Sequence, residues 1–304
     1  MIYMTFSAEA ARARSDGQPL VALESTIITH GMPYPQNVAV ARQVEADVRA
    51  AGATPATIAV LDGRLHIGLE TEQLQQLGQS RDVAKLSRAD LAACLATGGT
   101  GATTVSATMI AAHHAGIQVF ATGGIGGVHR GADQTFDISA DLQELAQTPV
   151  TVVSAGAKAI LDVGKTLEML ETLGVPVIVP GADIFPAFWS RRSRFPAPLR
   201  IDDPVAIARA HAARRALGLP GGQLVANPVP EADEIPAEEM TPIIALALAE
   251  ADDTGITGKA VTPFLLERVY EQTRGQSLQA NIALVRNNAR LAAEIAQALR
   301  KLSS

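Results

Sequence analysis

Short apolar runs bounded by turn residues alternate with longer stretches whose apolar residues recur three and four apart. This pattern predicts alternating strands and helices. Leu20–Glu24 reads as the first strand. After Pro35, residues Val38, Ala41, Val44 and Val48 share one face of a predicted helix from Asn37 to Ala51, with Gly52 as its stop. Thr57–Leu61 and Arg64–Gly68 flank Asp62-Gly63, the signature of a hairpin with a two-residue turn. Ser87 with Asp90 has capping-box spacing and opens a helix to Ala96. A helix from Thr104 to His114 stops at Gly116, and strand Ile117–Ala121 follows. Ser139, with Asp141 and Gln143, starts a short helix that ends near Gln147.

Strand Val150–Ser154 leads into a helix predicted from Lys158 to Leu173, closed by Gly174. In the next strand, Val175–Val179, Pro176 predicts a late start or an edge position. Beyond Arg194 the pattern turns mostly helical: Pro204–Leu217, a strand Leu224–Ala226, then about 237–251, 263–273 and 279–302. Phe185–Asp203, with four arginines and the only tryptophan, reads as a mobile loop. No repeat, low-complexity tract or long linker interrupts the chain. The expected fold class is α/β, one continuous domain with a mixed, mostly parallel sheet flanked by helices. The hairpin and the helical tail argue against eight regular units of a βα-barrel.

Composition sharpens this reading. Of 304 residues, 47% are apolar and 18% charged, so a large core forms and global disorder is excluded. Only 4% are aromatic while 54 are alanine, so the core is built from aliphatic chains and close backbones. A net charge of −6 argues against nucleic acid and anionic membranes as partners. A single phosphate needs only a local cluster of donors. Cys94 is the single cysteine, which excludes an intrachain disulfide and thiolate metal clusters. No apolar run approaches about 18 residues, and Met1–Ala13 lacks a signal-peptide core, so the expectation is a cytoplasmic protein. Lysine is scarce: Lys85, Lys158, Lys165, Lys259 and Lys301 stand against 20 arginines.

Five places carry candidate chemistry. Thr97–Val105 is glycine-rich and opens a helix, which suits either an anion site or tight helix–sheet packing. It lacks the Gly-Lys-Ser/Thr of a nucleotide loop, and Thr104 stands where a dinucleotide fingerprint needs glycine. Gly123–Gly131 follows a strand directly, at the end where α/β sheets bind ligands, and offers His129 and Arg130 to a phosphate. Asp137 and Asp141 flank Ser139; Ser139 suits an N-cap, and Asp137 is the better candidate for a hard cation, Mg²⁺ or Mn²⁺. Lys158 sits at a predicted helix start, where a cation is disfavoured and a partly buried amine would be the neutral, nucleophilic form. Lys165 looks like a surface residue. Glu24 ends an apolar strand ahead of Ser25, Thr26 and His30, which suits either a general acid–base or a structural ion pair.

Seven motifs in order resemble the pseudouridine-5′-phosphate glycosidase family, which includes the indigoidine synthase A-like proteins. They are Ala22–Pro33, Asp82–Lys85, Gly101–Val105, Gly123–Arg130, Asp137–Asp141, Ser154–Lys158 and Ala280–Leu284. The resemblance spans essentially the whole chain and implies a single domain over 1–304, an α/β/α sandwich, and a homotrimer without the kinase domain fused to some relatives. It implies reversible cleavage of the C–C glycosidic bond of pseudouridine 5′-phosphate to uracil and ribose 5-phosphate. In that chemistry Lys158 forms an iminium with the ring-opened sugar, and Glu24 moves the protons. It further implies Mn²⁺ at Asp137, held largely through water. Lys85, Val105 and Ser139-Ala140-Asp141 match substrate-binding positions, with His129, Arg130 and Asn281 as phosphate contacts. Two alternatives stay open: a C-glycoside synthase joining ribose 5-phosphate to another acceptor, and a non-catalytic nucleotide-binding protein.

Overall fold

The computed structural model describes residues 4–256 and 261–303; Lys259 and Met1–Tyr3 lie outside them. Its strands are β1 (Met4–Phe6), β2 (Leu20–Leu23), β3 (Thr54–Leu61), β4 (Arg64–Ile67), β5 (Ala84–Leu86), β6 (Gly101–Thr103), β7 (Val119–Ala121), β8 (Thr151–Ser154), β9 (Val177–Val179), β10 (Leu199–Arg200) and β11 (Gln223–Ala226). Its helices are α1 (Ala8–Ser15), α2 (Thr26–Thr29), α3 (Gln36–Ala50), α4 (Thr71–Gln79), α5 (Arg88–Ala96), α6 (Val105–Ala115), α7 (Ala132–Thr135), α8 (Ala140–Gln147), α9 (Val163–Thr172), α10 (Pro204–Ala216), α11 (Ala237–Asp253), α12 (Val261–Gln272) and α13 (Gln276–Ser303).

The sheet runs β3-β2-β7-β8-β11-β9-β10 with every neighbouring pair parallel. Parallel strands are covered on both faces, which is why β8 and β9 are buried at every position. Beside this core, β3 pairs antiparallel with β4 and β6, which carry β1 and β5 in turn. Helices connect the parallel strands and cover the sheet. Helix α13 packs on β2, β7 and β8 beside α3 and α10, and α6 packs on β2, β3 and β7 beside α5 and α8. This is the mixed, mostly parallel α/β sandwich expected. Among the described residues, no helix is long and apolar enough to cross a membrane.

The local signals act as their chemistry requires. Asp62 and Gly63 both take positive φ (49° and 70°), giving the hairpin turn that joins Leu61 to Arg64. Ser87 and Asp90 form a reciprocal capping box, and Gly116 ends α6 with φ 80°. β9 starts after Pro176, but it lies between β11 and β10 rather than at an edge.

Two expectations are corrected. Helix α9 begins at Val163, not Lys158: Asp162 caps it by accepting from the Lys165 amide at 3.0 Å. Gly156, at φ 85°, turns the chain out of β8 first. The stretch Phe185–Asp203 is also no free loop. Phe185, Phe188 and Trp189 are buried, the Trp189 indole donates to the Ser277 carbonyl at 3.0 Å, and β10 lies within the stretch.

His211 of α10 is buried, with Nδ1 3.0 Å from the Thr151 hydroxyl and Nε2 without a partner among the described residues. Burial first, then Arg215 and Arg214, pushes its pKa down to about 4 from 6.5. The unfolded chain therefore binds this proton more readily. The stability contributed by neutral His211 is full above about 6.5 and is lost as pH falls toward about 4. We predict that His211→Asn lowers the pH dependence of the urea-unfolding free energy between pH 6.5 and 5 by up to about 1.4 kcal/mol per pH unit. An unchanged slope would contradict this assignment.

Candidate active site

A cavity of about 360 Å³ opens where β2, β7 and β8 end, the usual ligand crevice of a parallel sheet. It is lined by Glu24, Lys85, Val105, His129, Asp137, Ser139, Ala140, Asp141, Lys158 and Asn281. Every residue singled out in the sequence is therefore on its wall except Arg130, which is exposed and does not line it.

Glu24 is the first residue beyond β2. The turn beneath it is pinned by Ser25, whose hydroxyl donates to the Ile58 carbonyl at 2.7 Å and accepts from the Thr103 amide at 2.9 Å. The Glu24 side chain is buried without an ion-pair partner among the described residues. Its two carboxylate oxygens accept instead from hydroxyls: Oε2 from Thr26 and Oε1 from Thr122. The ion-pair reading of Glu24 is thus replaced by a hydroxyl clamp. His30 also lines the cavity, and burial, followed by the Lys85 charge, pushes its imidazole below the ordinary value.

Lys158 owes its place to main-chain pairing, not to a helix. The chain leaving β8 zips against the glycine loop leaving β7. The Ala155 amide donates to Gly123 at 2.8 Å, the Ile125 amide to Gly156 at 3.0 Å, the Lys158 amide to Ile125 at 3.1 Å, and the Asp162 amide to Val128 at 2.9 Å. Lys158 therefore lies outside α9, and no helix start acts on its charge. Half-buried Lys158 lines the cavity, and no described residue hydrogen-bonds to its amine.

Asp141 joins three elements. Its Oδ1 accepts from the Ser106 amide at the start of α6 (2.9 Å), and its Oδ2 accepts from the Gly126 amide (2.7 Å). The Ser139 hydroxyl caps α8 by accepting from the Asp141 amide at 3.2 Å. A Cβ on Gly126 would stand 2.1 Å from the Ser139 hydroxyl and 2.8 Å from Asp141 Oδ2, so this approach demands glycine. The anion site expected at the start of α6 is thus partly filled by the protein's own carboxylate. Gly101 serves packing: a Cβ there would meet the Leu86 side chain at 2.5 Å.

Asp137 follows Phe136, which is 82% exposed and held in the left-handed region at φ 55°. The Asp137 carbonyl accepts from the His129 amide at 3.0 Å, and its carboxylate lies 3.8 Å from His129 Nδ1. Among the described residues, no three His, Cys, Asp or Glu side chains gather as a metal cluster. Lys165 is at the surface, paired to Asp133 at 3.1 Å.

Sequence reasoning named Thr26 and His30 only as neighbours of Glu24 and passed over Thr122, Phe188 and Leu266. Thr26 and His30 lie within the motif that holds Glu24, so their positions carried a signal, whereas Thr122 is marked only as the residue after β7. Phe188 and Leu266 reach the wall from the segment after β9 and from α12, and nothing local in the sequence marks them.

The family model described as "Indigoidine synthase A like protein" matches residues 9–298. The chain is 75% identical over 293 residues to the pseudouridine-5′-phosphate glycosidase of Roseobacter denitrificans, covering 96% of this chain and 94% of that one. It is 70% identical over 296 residues to the protein of the same name from Jannaschia sp., covering 97% and 98%. Among solved structures, it is similar to the prealnumycin C-glycosynthase in complex with ribulose 5-phosphate, with TM-score 0.91, 40% identity, and coverage of 99% and 98%. It is also similar to an indigoidine synthase A-like protein from Thermotoga maritima, with TM-score 0.89, 35% identity, and coverage of 98% and 97%.

Truncating Asp141 would strand two main-chain donors at the site. We predict that Asp141→Ala lowers stability by roughly 2–4 kcal/mol, read by urea unfolding, because charge-assisted bonds are lost and amides are left unpaired. A loss below about 0.5 kcal/mol, the scale of an ordinary surface substitution, would contradict its structural role.

Proposed function

The chain belongs to the indigoidine synthase A like family, and from that premise we propose that it is a pseudouridine-5′-phosphate glycosidase. It splits the bond between ribose C1′ and uracil C5, giving uracil and ribose 5-phosphate. The observation that carries the reading is one cavity in which a carboxylate (Glu24) and an amine (Lys158) face a ring of anion-binding groups. The identity of 75% to a relative of that name supports the same substrate. A cavity of about 360 Å³ suits a nucleoside monophosphate.

An ordinary glycosidase protonates a leaving oxygen or nitrogen. A carbon leaving group needs an electron source at C1′, and an amine supplies it. The Lys158 nitrogen bonds C1′ after the C1′–O4′ bond breaks. Glu24 gives O4′ a proton and recovers one from the nitrogen. The nitrogen lone pair then forms the C=N bond as the C1′–C5 bond breaks, its electron pair passing to the uracil ring, whose C5 takes the Glu24 proton. Water hydrolyses the iminium, which frees the lysine and returns a proton to Glu24. Each step reverses, and the resemblance to a C-glycosynthase at 40% identity supports bond formation by the same residues.

Lys85 and His129 are the side chains we assign to the phosphate, with Ser139, Ala140 and Val105 shaping the sugar site and Asn281 facing it from α13. Arg130, exposed beside His129, is assigned a long-range attraction rather than a contact. The donor set at Asp137 is one half-exposed carboxylate beside an imidazole, without a second acid in a cluster. This fits a hard cation such as Mn²⁺ held mostly through water. When bound, it would offset negative charge on the phosphate and sugar oxygens. The same reading takes the working form to be a cytoplasmic homotrimer.

The direct test is release of uracil from pseudouridine 5′-phosphate by the purified chain, followed by chromatography. Release that Lys158→Ala abolishes is expected; an inactive wild-type chain would overturn the reading. Chelation is expected to lower the rate at least tenfold, with Mn²⁺ restoring it. Full activity after chelation would remove the cation and Asp137's role with it.

A further inference from the structure

The clamp on Glu24 is asymmetric, and its two halves differ in what they can do. Thr26 lies on the wall of the large cavity, beside the carboxylate oxygen Oε2. Thr122 lies behind, 2% exposed, and donates to Oε1. It faces a small, mostly apolar void of about 20 Å³, lined by Leu23, Val44 and Val285 and by Asn37 and Thr57, whose side chains donate elsewhere, to Ile28, Gly78 and Glu45. Its main chain is fixed from both sides. The Thr122 amide donates to the Val153 carbonyl at 3.0 Å, and its carbonyl accepts at 2.8 Å from Asn288, a fully buried side chain of α13. Asn288 is held in turn by Asn227, whose own amide donates to Ser154 at 2.7 Å.

A hydroxyl has one hydrogen to give. No other acceptor for the Thr122 hydroxyl is found among the described residues, so a proton placed on Oε1 would turn the threonine hydrogen away, unpaired, into an apolar setting. A proton on Oε2 avoids this, because the Thr26 hydroxyl can turn toward the cavity. We propose that Thr122 is a positioning residue: from behind, it reserves Oε1 as a permanent acceptor and confines the catalytic proton to Oε2, the oxygen on the cavity side. Asn288 holds Thr122 in register for this task. The inference rests on the glycosidase reading, since it assigns the oxygen through which Glu24 delivers protons to O4′ and C5.

The test compares the wild type with Thr122→Val, Thr122→Ala and Thr122→Ser in uracil release, with kcat and KM measured from pH 5 to 9. Removing the hydroxyl leaves the carboxylate one donor short. Glu24 enters the cycle protonated, so the alkaline limb of kcat/KM should move to higher pH by about one unit. At neutral pH, kcat should fall about tenfold while KM stays within about twofold, and Thr122→Ser should restore both. Thr122→Ala removes the same hydroxyl without crowding and decides the question where the valine variant does not fold. A profile that only scales down, or a serine variant no better than valine, overturns the positioning role while the glycosidase reading stands. A wild type that releases no uracil overturns both.

Discussion

The site depends on one carboxylate that does no chemistry in the proposed scheme. Asp141 accepts from the Ser106 and Gly126 amides with its two oxygens. Those bonds fasten the first turn of α6, the glycine loop and the first turn of α8 at a single point. The glycine loop is in turn the template on which the chain after β8 is zipped, by four main-chain hydrogen bonds between 123–128 and 155–162. Lys158 rides on that second strip. The position of the proposed nucleophile thus descends from Asp141 through backbone pairing, which needs no helix beneath the lysine. The glycines follow from the same demand, because a side chain at Gly126 would strike the cap and the carboxylate together.

The net charge of −6 does not describe the site. Lys85, Lys158 and His129 gather at one end of the sheet, while Asp141 is already satisfied by amides. What remains is a wall of basic groups with Glu24 as the buried carboxylate and Asp137 as a half-exposed one. The proposed chemistry asks for that division: cationic groups and amides to hold a phosphate, an amine to bond C1′, and an acid to feed protons to atoms that have none. Arginine could supply the first of these, but a guanidinium cannot supply the second. In a chain with five lysines, two on the wall of one cavity are a meaningful share.

Most of the fold was legible because its signals are local. The capping pair Ser87 and Asp90, the Asp62-Gly63 turn, and the helix stop at Gly116 each act within a few residues. The candidate site was legible through motifs, and ten of its eleven residues share one cavity. The failures have a common cause in non-local contacts. Apolar residues after Lys158 kept a helical period, but pairing with the glycine loop holds 155–162 out of a helix until Asp162 caps α9. The arginine-rich stretch 185–203 reads as solvent-facing, yet Trp189 docks onto Ser277 from the far end of the chain. Thr122 shows the limit most clearly. Its sequence neighbours say only that a strand has ended, and its partners Glu24 and Asn288 lie 98 and 166 residues away.

The central claim is that Lys158 bonds the sugar carbon during turnover. Borohydride added during turnover with pseudouridine 5′-phosphate should reduce the iminium, and peptide mass spectrometry should locate one pentose-phosphate adduct on Lys158. An active enzyme that yields no adduct, or an adduct on Lys85 or Lys165 instead, would contradict it.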